Sequence, residues 1–178
     1  MLELGCGYGR ILGRLCRKAR KAFGIDTSQA SLVLARSELC EFSKPELCLM
    51  DAARLGFRDN AFDLTACLQN GISAFKVDRL ELIKEAARVT RPGGRVMFSS
   101  YSEKFWPDRL DWFRRQSDEG LLGEIDDEKT GDGVIVCKDG FRATTLTAEQ
   151  FLALTSRLNL RAEIVEVDES SLFCEITA

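Results

Sequence analysis

The sequence predicts an α/β fold: a doubly wound, mostly parallel sheet covered by helices. Three observations carry that expectation. Short apolar strands alternate with stretches of helical period along the first hundred residues. A glycine-rich turn joins the first strand to the first helix. Pro92-Gly93-Gly94 then punctuates the passage from a helix into another strand. With 178 residues, 45% of them hydrophobic, the chain can bury one substantial core, so a single domain over 1–178 is expected.

Totals narrow the function classes. Acids and bases are interspersed and the net charge is −3, which leaves no electrostatic footprint for nucleic acid. No apolar run approaches the roughly 20 residues needed to span a bilayer, and no signal peptide precedes the first strand. The cysteines at 6, 16, 40, 48, 67, 137 and 174 are odd in number and never spaced as C-x-x-C, which argues against a disulfide framework or a zinc site. They read as small core residues of a chain in the reducing cytoplasm. Histidine is absent, which removes Ser-His-Asp and Cys-His catalysis and most histidine-dependent metal sites; no metal is expected.

Met1 to Leu4 form the first strand, and Gly5-Cys6-Gly7-Tyr8-Gly9 the turn that follows. Lacking Cβ, a glycine takes positive φ and lets a ligand approach the backbone. A dinucleotide fingerprint spaces its glycines G-x-G-x-x-G, but the third slots counted from Gly5 and Gly7 hold Arg10 and Leu12. The pattern that fits is E-x-G-x-G-x-G over Glu3, Gly5, Gly7 and Gly9. The bland alternative is a tight turn and nothing more. Ile11, Leu12, Leu15, Cys16 and Ala19 then recur at helical spacing, with a basic, solvated opposite face.

Ala22 to Asp26 read as a second strand ending in a carboxylate. At the carboxyl edge of a parallel strand, such an aspartate accepts both ribose hydroxyls of an adenosine. Asp26, Thr27 and Ser28 equally suit the start of the next helix, and the two roles are compatible. Glu46 to Met50 form a third strand, with Asp51-Ala52 at its end, where a cap for a short turn is the plain reading. Residues 60–68 read as a turn and a fourth strand, and the Gln69-Asn70-Gly71 loop falls where ligands gather in open α/β sheets. Gln69 and Asn70 suit either a substrate contact or a turn.

A helix over 77–90 stops at Arg91-Pro92-Gly93-Gly94, and Val96 to Ser100 form the fifth strand. Residues 101–146 break the alternation. This insertion after strand five carries Tyr101, Phe105, Trp106, Trp112 and Phe113, a run of acids, and a hairpin turning at Lys138-Asp139-Gly140. Leaving the carboxyl edge of the sheet, it is expected to cap the cleft, with Tyr101, Trp106 or Arg115 lining the pocket. Thr147 caps a helix to Leu158, and 162–167 and 172–177 are the last two strands.

Four landmarks, LELGCGYGR, GIDTS, MDA and RPGG, stand in an order and spacing that resemble the class I S-adenosylmethionine-dependent methyltransferases of the small-molecule type. The resemblance covers about residues 1–100 by motif and 147–178 by architecture. It implies a Rossmann-like, doubly wound, mostly parallel seven-stranded sheet with an antiparallel last strand. S-adenosylmethionine is the implied cofactor, with Gly5, Cys6, Gly7 and Gly9 against its methionine end and Glu3 fixing its amino group. Asp26 would take the ribose, with Thr27 beside it among the cofactor-binding residues, Asp51 the adenine amine, and the Ala52 N–H the ring. An ionised carboxylate only accepts, so Asp51 suits a donor amine. Gln69 would hold the methionine portion, and Asn70, Tyr101, Trp106 and Arg115 the acceptor.

The resemblance further implies methyl transfer to a small-molecule O or N acceptor. Asn70 stands where catechol-type relatives carry a metal-binding carboxylate, and the Asn/Asp-Pro-Pro-aromatic signature of nucleic-acid amino methyltransferases is missing. The family carries a helical lid before its first strand, and this chain starts at that strand, so an N-terminally shortened piece is expected. Two other readings stay open: an NAD(P)-dependent oxidoreductase, and a non-catalytic S-adenosylmethionine-binding module.

Overall fold

The computed structural model describes residues 1–39 and 45–178. Its strands are β1 (Leu2–Leu4), β2 (Phe23–Asp26), β3 (Glu46–Leu49), β4 (Phe62–Cys67), β5 (Thr90–Tyr101), β6 (Ile135–Val136), β7 (Arg142–Ala143), β8 (Arg161–Val167) and β9 (Ser171–Thr177). The helices are α1 (Leu12–Cys16), α2 (Gln29–Glu38), α3 (Gly71–Ala74), α4 (Arg79–Val89), α5 (Trp106–Asp118) and α6 (Ala148–Arg157). Seven strands form one sheet in the order β3-β2-β1-β4-β5-β9-β8. The first five pair in parallel, and β9 runs antiparallel to both its neighbours. The order reverses between β1 and β4, which puts a crevice at their carboxyl ends.

Burial explains the placement. Leu2, Leu4 and Ile25 are essentially inaccessible and pack with Leu82, Ile83, Ala86 and Val89 of α4 and Phe151 of α6. Cys6, Leu12, Cys16, Ala22, Leu32, Ala35 and Leu39 form a separate cluster under α1 and α2. Strands covered by helices in this way read as continuous apolar runs. Five of the cysteines are buried and Cys48 half-buried, as expected of core residues; Cys40 lies outside the described residues. Burial pushes the thiols of Cys6 and Cys174 up to about 12, which keeps them protonated.

Local chemistry sets the ends. Ser28 caps α2 by accepting the Ser31 N–H, and Asp78 caps α4 by accepting from Leu80 and Glu81. Thr147 and Gln150 complete a reciprocal capping box at α6. Two elements differ from the sequence reading. The first helix is only five residues, Leu12–Cys16. The Arg91–Gly94 turn sits inside β5 as a bulge: Phe62 pairs with Thr90 and Leu64 with Arg95, so the four intervening residues bow out against one residue of β4.

The insertion has its own small core of Phe113, Ile125, Ile135 and Cys137, with Trp106 and Leu110 packed on it. The expected hairpin is present as β6 and β7, and α5 was not anticipated.

Candidate functional site

Where β1 ends, Gly5, Gly7 and Gly9 have φ of +68°, +54° and +89°. A Cβ on Gly5 would lie 2.6 Å from Cε1 of Phe75, so the Phe75 ring rests directly on the turn's backbone. Gly9 meets Leu39 of the α2 end just as closely. Only glycine satisfies both the left-handed backbone and the contact. The Cys6 N–H bonds the Ile25 carbonyl at 2.9 Å and the Gly9 N–H bonds the Cys6 carbonyl at 2.9 Å, which folds the turn back on β2.

Asp26, at the end of β2, braces the turn from the side. Its Oδ2 accepts the Gly7 N–H at 2.9 Å and its Oδ1 the Ser28 N–H at 2.8 Å. Each carboxylate oxygen has a second lone-pair site to offer. Asp51, one strand over, accepts the Ala53 N–H through Oδ1 at 2.9 Å, the expected turn cap.

These groups frame a cavity of about 360 Å³ lined by Gly5, Ile25, Asp26, Thr27, Met50, Asp51, Ala52, Ala74, Phe75, Lys76 and Val77. That volume lies within the range of small-ligand sites, roughly 300–1,000 Å³. Apolar walls from Ile25, Met50, Ala52 and Val77 suit a flat base, and two carboxylates at successive strand ends suit its hydroxyl and amine donors.

Glu3 is buried within β1 and does not itself line the cavity. It is 3% exposed, takes a backbone N–H from Leu12, and leaves Oε2 with no partner among the described residues. Burial drives its carboxyl up to about 8, partly offset by the Leu12 N–H. A buried carboxyl oxygen without a donor is costly to a fold.

The structure thus brings Gly5, Asp26, Thr27, Asp51 and Ala52 to one cavity. Other anticipated residues support it or lie apart. Cys6 packs its side chain in the α1–α2 cluster. Gly7 donates its N–H to Asp26, and Gly9 packs under Leu39. Gln69, at φ +55°, gives its N–H to Ser99 Oγ at 2.8 Å. Asn70, at φ +61°, donates to the Thr144 carbonyl at 2.8 Å and accepts from Ser100 Oγ at 3.0 Å, tying the insertion to the sheet. Tyr101 stacks on Phe105, and Trp106 lines a second, smaller cavity.

Arg115 lines neither cavity: it pairs with Asp111 one turn earlier at 2.7 Å on the exposed face of α5, because that face is the one turned from the insertion's core. Phe75, Lys76 and Val77 are wall residues that the sequence reading missed. Their only signal was position, directly after the β4 loop that faces the cleft.

The order β3-β2-β1-β4-β5-β9-β8 with β9 reversed, a glycine turn at the switch point and carboxylates at the ends of β2 and β3 define an S-adenosylmethionine-dependent methyltransferase class of domain. The family model described as "Methyltransferase domain" matches residues 1–94, and the chain belongs to that family. S-adenosylmethionine is the cofactor of the class, and the cavity's donor demands and the orphaned Glu3 oxygen fit it.

The chain is 31% identical over 110 residues to the malonyl-[acyl-carrier protein] O-methyltransferase of Marinomonas sp., a match covering 61% of this chain and 40% of that one. It spans about two-fifths of the length of the curated relatives it matches. Among solved structures, a Pyrococcus horikoshii protein superposes with TM-score 0.75 at 22% identity, over 99% of this chain and 80% of the other. The magnesium protoporphyrin IX methyltransferase of Synechocystis, solved with bound S-adenosylhomocysteine, superposes with TM-score 0.65 at 17% identity, over 99% of this chain and 73% of that one. These last two likenesses show the fold.

Proposed function

We propose that this chain is the S-adenosylmethionine-binding core of an enzyme that methylates a small-molecule acceptor on oxygen or nitrogen. The observation that carries the reading is the single cavity in which Gly5, Asp26, Thr27, Asp51 and Ala52 converge at the carboxyl ends of β1, β2 and β3. Asp26 accepts the ribose hydroxyls while its other lone pairs hold Gly7 and Ser28, so the sugar and the turn are fixed together. Asp51 accepts the adenine amine through the oxygen that Ala53 leaves free, and the Ala52 N–H meets the ring. The turn over Gly5 to Gly9 lies along the methionine end with Gln69 opposite, and Glu3 compensates the amino group.

When bound, the cofactor supplies a sulfonium methyl already activated for in-line displacement. The protein's work is therefore to bind, orient and exclude water. Phe75 on Gly5 covers the turn with an apolar face. The insertion over 101–146 caps the cleft, held there by Asn70 through Thr144, and its Trp106 faces the acceptor. Acids and bases mixed to a net −3 favour a small acceptor over nucleic acid, and no described helix is long and apolar enough to cross a membrane. The free thiols among the described residues fit a reducing, cytoplasmic setting.

Titration of the protein with S-adenosylhomocysteine and, separately, NAD tests the reading. Saturable one-to-one binding of the former and none of the latter is expected; the reverse order of affinity would overturn it.

A further inference from the structure

Arg109, on α5, is the most deeply buried cation of the insertion, 2% exposed. Its guanidinium carbon lies 5.4 Å from the Tyr101 ring centroid, 5.8 Å from that of Trp106 and 5.3 Å from that of Phe113. Nη1 donates to the Gly133 carbonyl at 2.9 Å, Nε is buried without a partner, and no carboxylate pairs with it among the described residues. Three rings and one carbonyl polarise toward the charge but supply no counter-charge. A buried cation without one is among the costlier arrangements a fold keeps. Burial accordingly lowers the guanidinium's proton affinity.

The same side chain forms one wall of a cavity of about 230 Å³, shared with Trp106, Gly133, Thr145, Glu103 and Asp132. The wall is built for close packing. Gly133 has φ +78°, and a Cβ there would collide with Thr145 Oγ1, so the carbonyl that orients Arg109 depends on glycine. Thr145 stands beside the strand ends that face the cleft: its neighbours Thr144 and Leu146 are held by Asn70 and by Ser100, the two side chains that bond each other at the carboxyl ends of β4 and β5.

We infer that this cavity is an acceptor subsite in which Arg109 receives a single carboxylate of the molecule to be methylated. The inference rests on the methyltransferase reading and adds to it the chemical class of the acceptor. A planar guanidinium supplies paired donors to a planar oxyanion, and the aromatic cage excludes competing water. The wall carboxylates of Glu103 and Asp132, both exposed, oppose a dianion such as phosphate, whereas one carboxylate gains the Arg109 charge at smaller repulsion.

The test is a titration of the whole chain with benzoate, benzamide and inorganic phosphate, followed by ¹H–¹⁵N spectra of the Arg109 Nε–Hε and Trp106 indole N–H signals. Benzoate should shift both signals saturably, while benzamide and phosphate at equal concentration should give less than about a tenth of the effect. Arg109→Met should abolish the benzoate response at Trp106. Glu103→Gln, which keeps the fold even if Arg109→Met does not, should tighten benzoate about threefold. Equal responses to benzoate and benzamide, phosphate binding as tightly as benzoate, an undiminished response in Arg109→Met, or unchanged affinity in Glu103→Gln would each overturn the inference. S-adenosylhomocysteine titrated into the same wild-type sample reads the other cavity: its failure to bind refutes the methyltransferase reading, and its binding without a benzoate response refutes only the subsite.

Discussion

Asp26 and Gly7 stand 19 residues apart and are joined by one hydrogen bond of 2.9 Å, from the glycine N–H to Oδ2. That bond fastens the turn after β1 to the end of β2, and the second oxygen fastens Ser28 at the start of α2. Replacing Asp26 with alanine therefore strips two backbone donors of their acceptor before any ligand is considered. Denaturant unfolding of the ligand-free protein should show a loss of about 1–3 kcal/mol for Asp26→Ala, with much of it recovered by Asp26→Asn, which keeps one acceptor. Equal stability of all three proteins would show that the bond does not hold the turn.

Gly5 faces two independent constraints, a φ of +68° and the Phe75 ring. Gly5→Ala should cost about 2–3 kcal/mol, and pairing it with Phe75→Ala should relieve only the steric part, leaving roughly 1 kcal/mol of backbone strain. A double-mutant cycle measures the coupling. Strict additivity would mean that ring and turn do not touch.

Glu3 gives a pH dependence with a definite sign. Its folded value near 8 lies above the ordinary carboxyl value near 4.5, so the native chain keeps a proton that the unfolded chain has lost. The stability this contributes is complete below the unfolded value and drains away as pH rises from about 4.5 to about 8. Over that window wild type should lose a few kcal/mol relative to Glu3→Gln, read as the difference between their unfolding curves. Parallel curves from pH 5 to 8 would contradict the burial argument. A cationic amino group arriving beside Glu3 should also expel its proton, so calorimetry in buffers of different ionisation heat at pH 6.5 should find close to one proton released per S-adenosylmethionine bound in wild type, and none in Glu3→Gln.

Asn70 holds the insertion through Thr144, and Ser100 holds Leu146. Asn70→Ala should speed hydrogen exchange in residues 133–146 by about tenfold while leaving β1 to β3 protected, since only a local opening is eased. Uniform acceleration, or none, would place the hinge elsewhere.

Much of the cavity was legible because it is written in short chain segments. The turn announces itself through three alternating glycines, and Asp26 and Asp51 each end an apolar strand; their capping bonds to Ser28 and Ala53 are local chemistry readable from spacing. What escaped depends on packing between distant segments. Phe75 carries no motif and becomes a wall only because it rests on Gly5, 70 residues earlier. Helix α5 was obscured because its pattern is inverted: Arg109 points in and Trp112 is 53% exposed, the opposite of what an amphipathic period leads one to expect. Pro107 in its first turn was the available signal. The Arg91–Gly94 turn was seen, but not that β4 would pair on both sides of it and absorb it as a bulge.

The central claim is that the cavity between the glycine turn, Asp26 and Asp51 is where S-adenosylmethionine lies, and calorimetric titration with S-adenosylhomocysteine tests it most directly. Wild type should bind one equivalent, and Asp51→Ala, which loses a charge-assisted contact while leaving the glycine turn's bond to Asp26 intact, should bind at least about tenfold more weakly at unchanged stoichiometry. Undiminished affinity in Asp51→Ala, or no binding by a folded wild-type protein, would contradict the account.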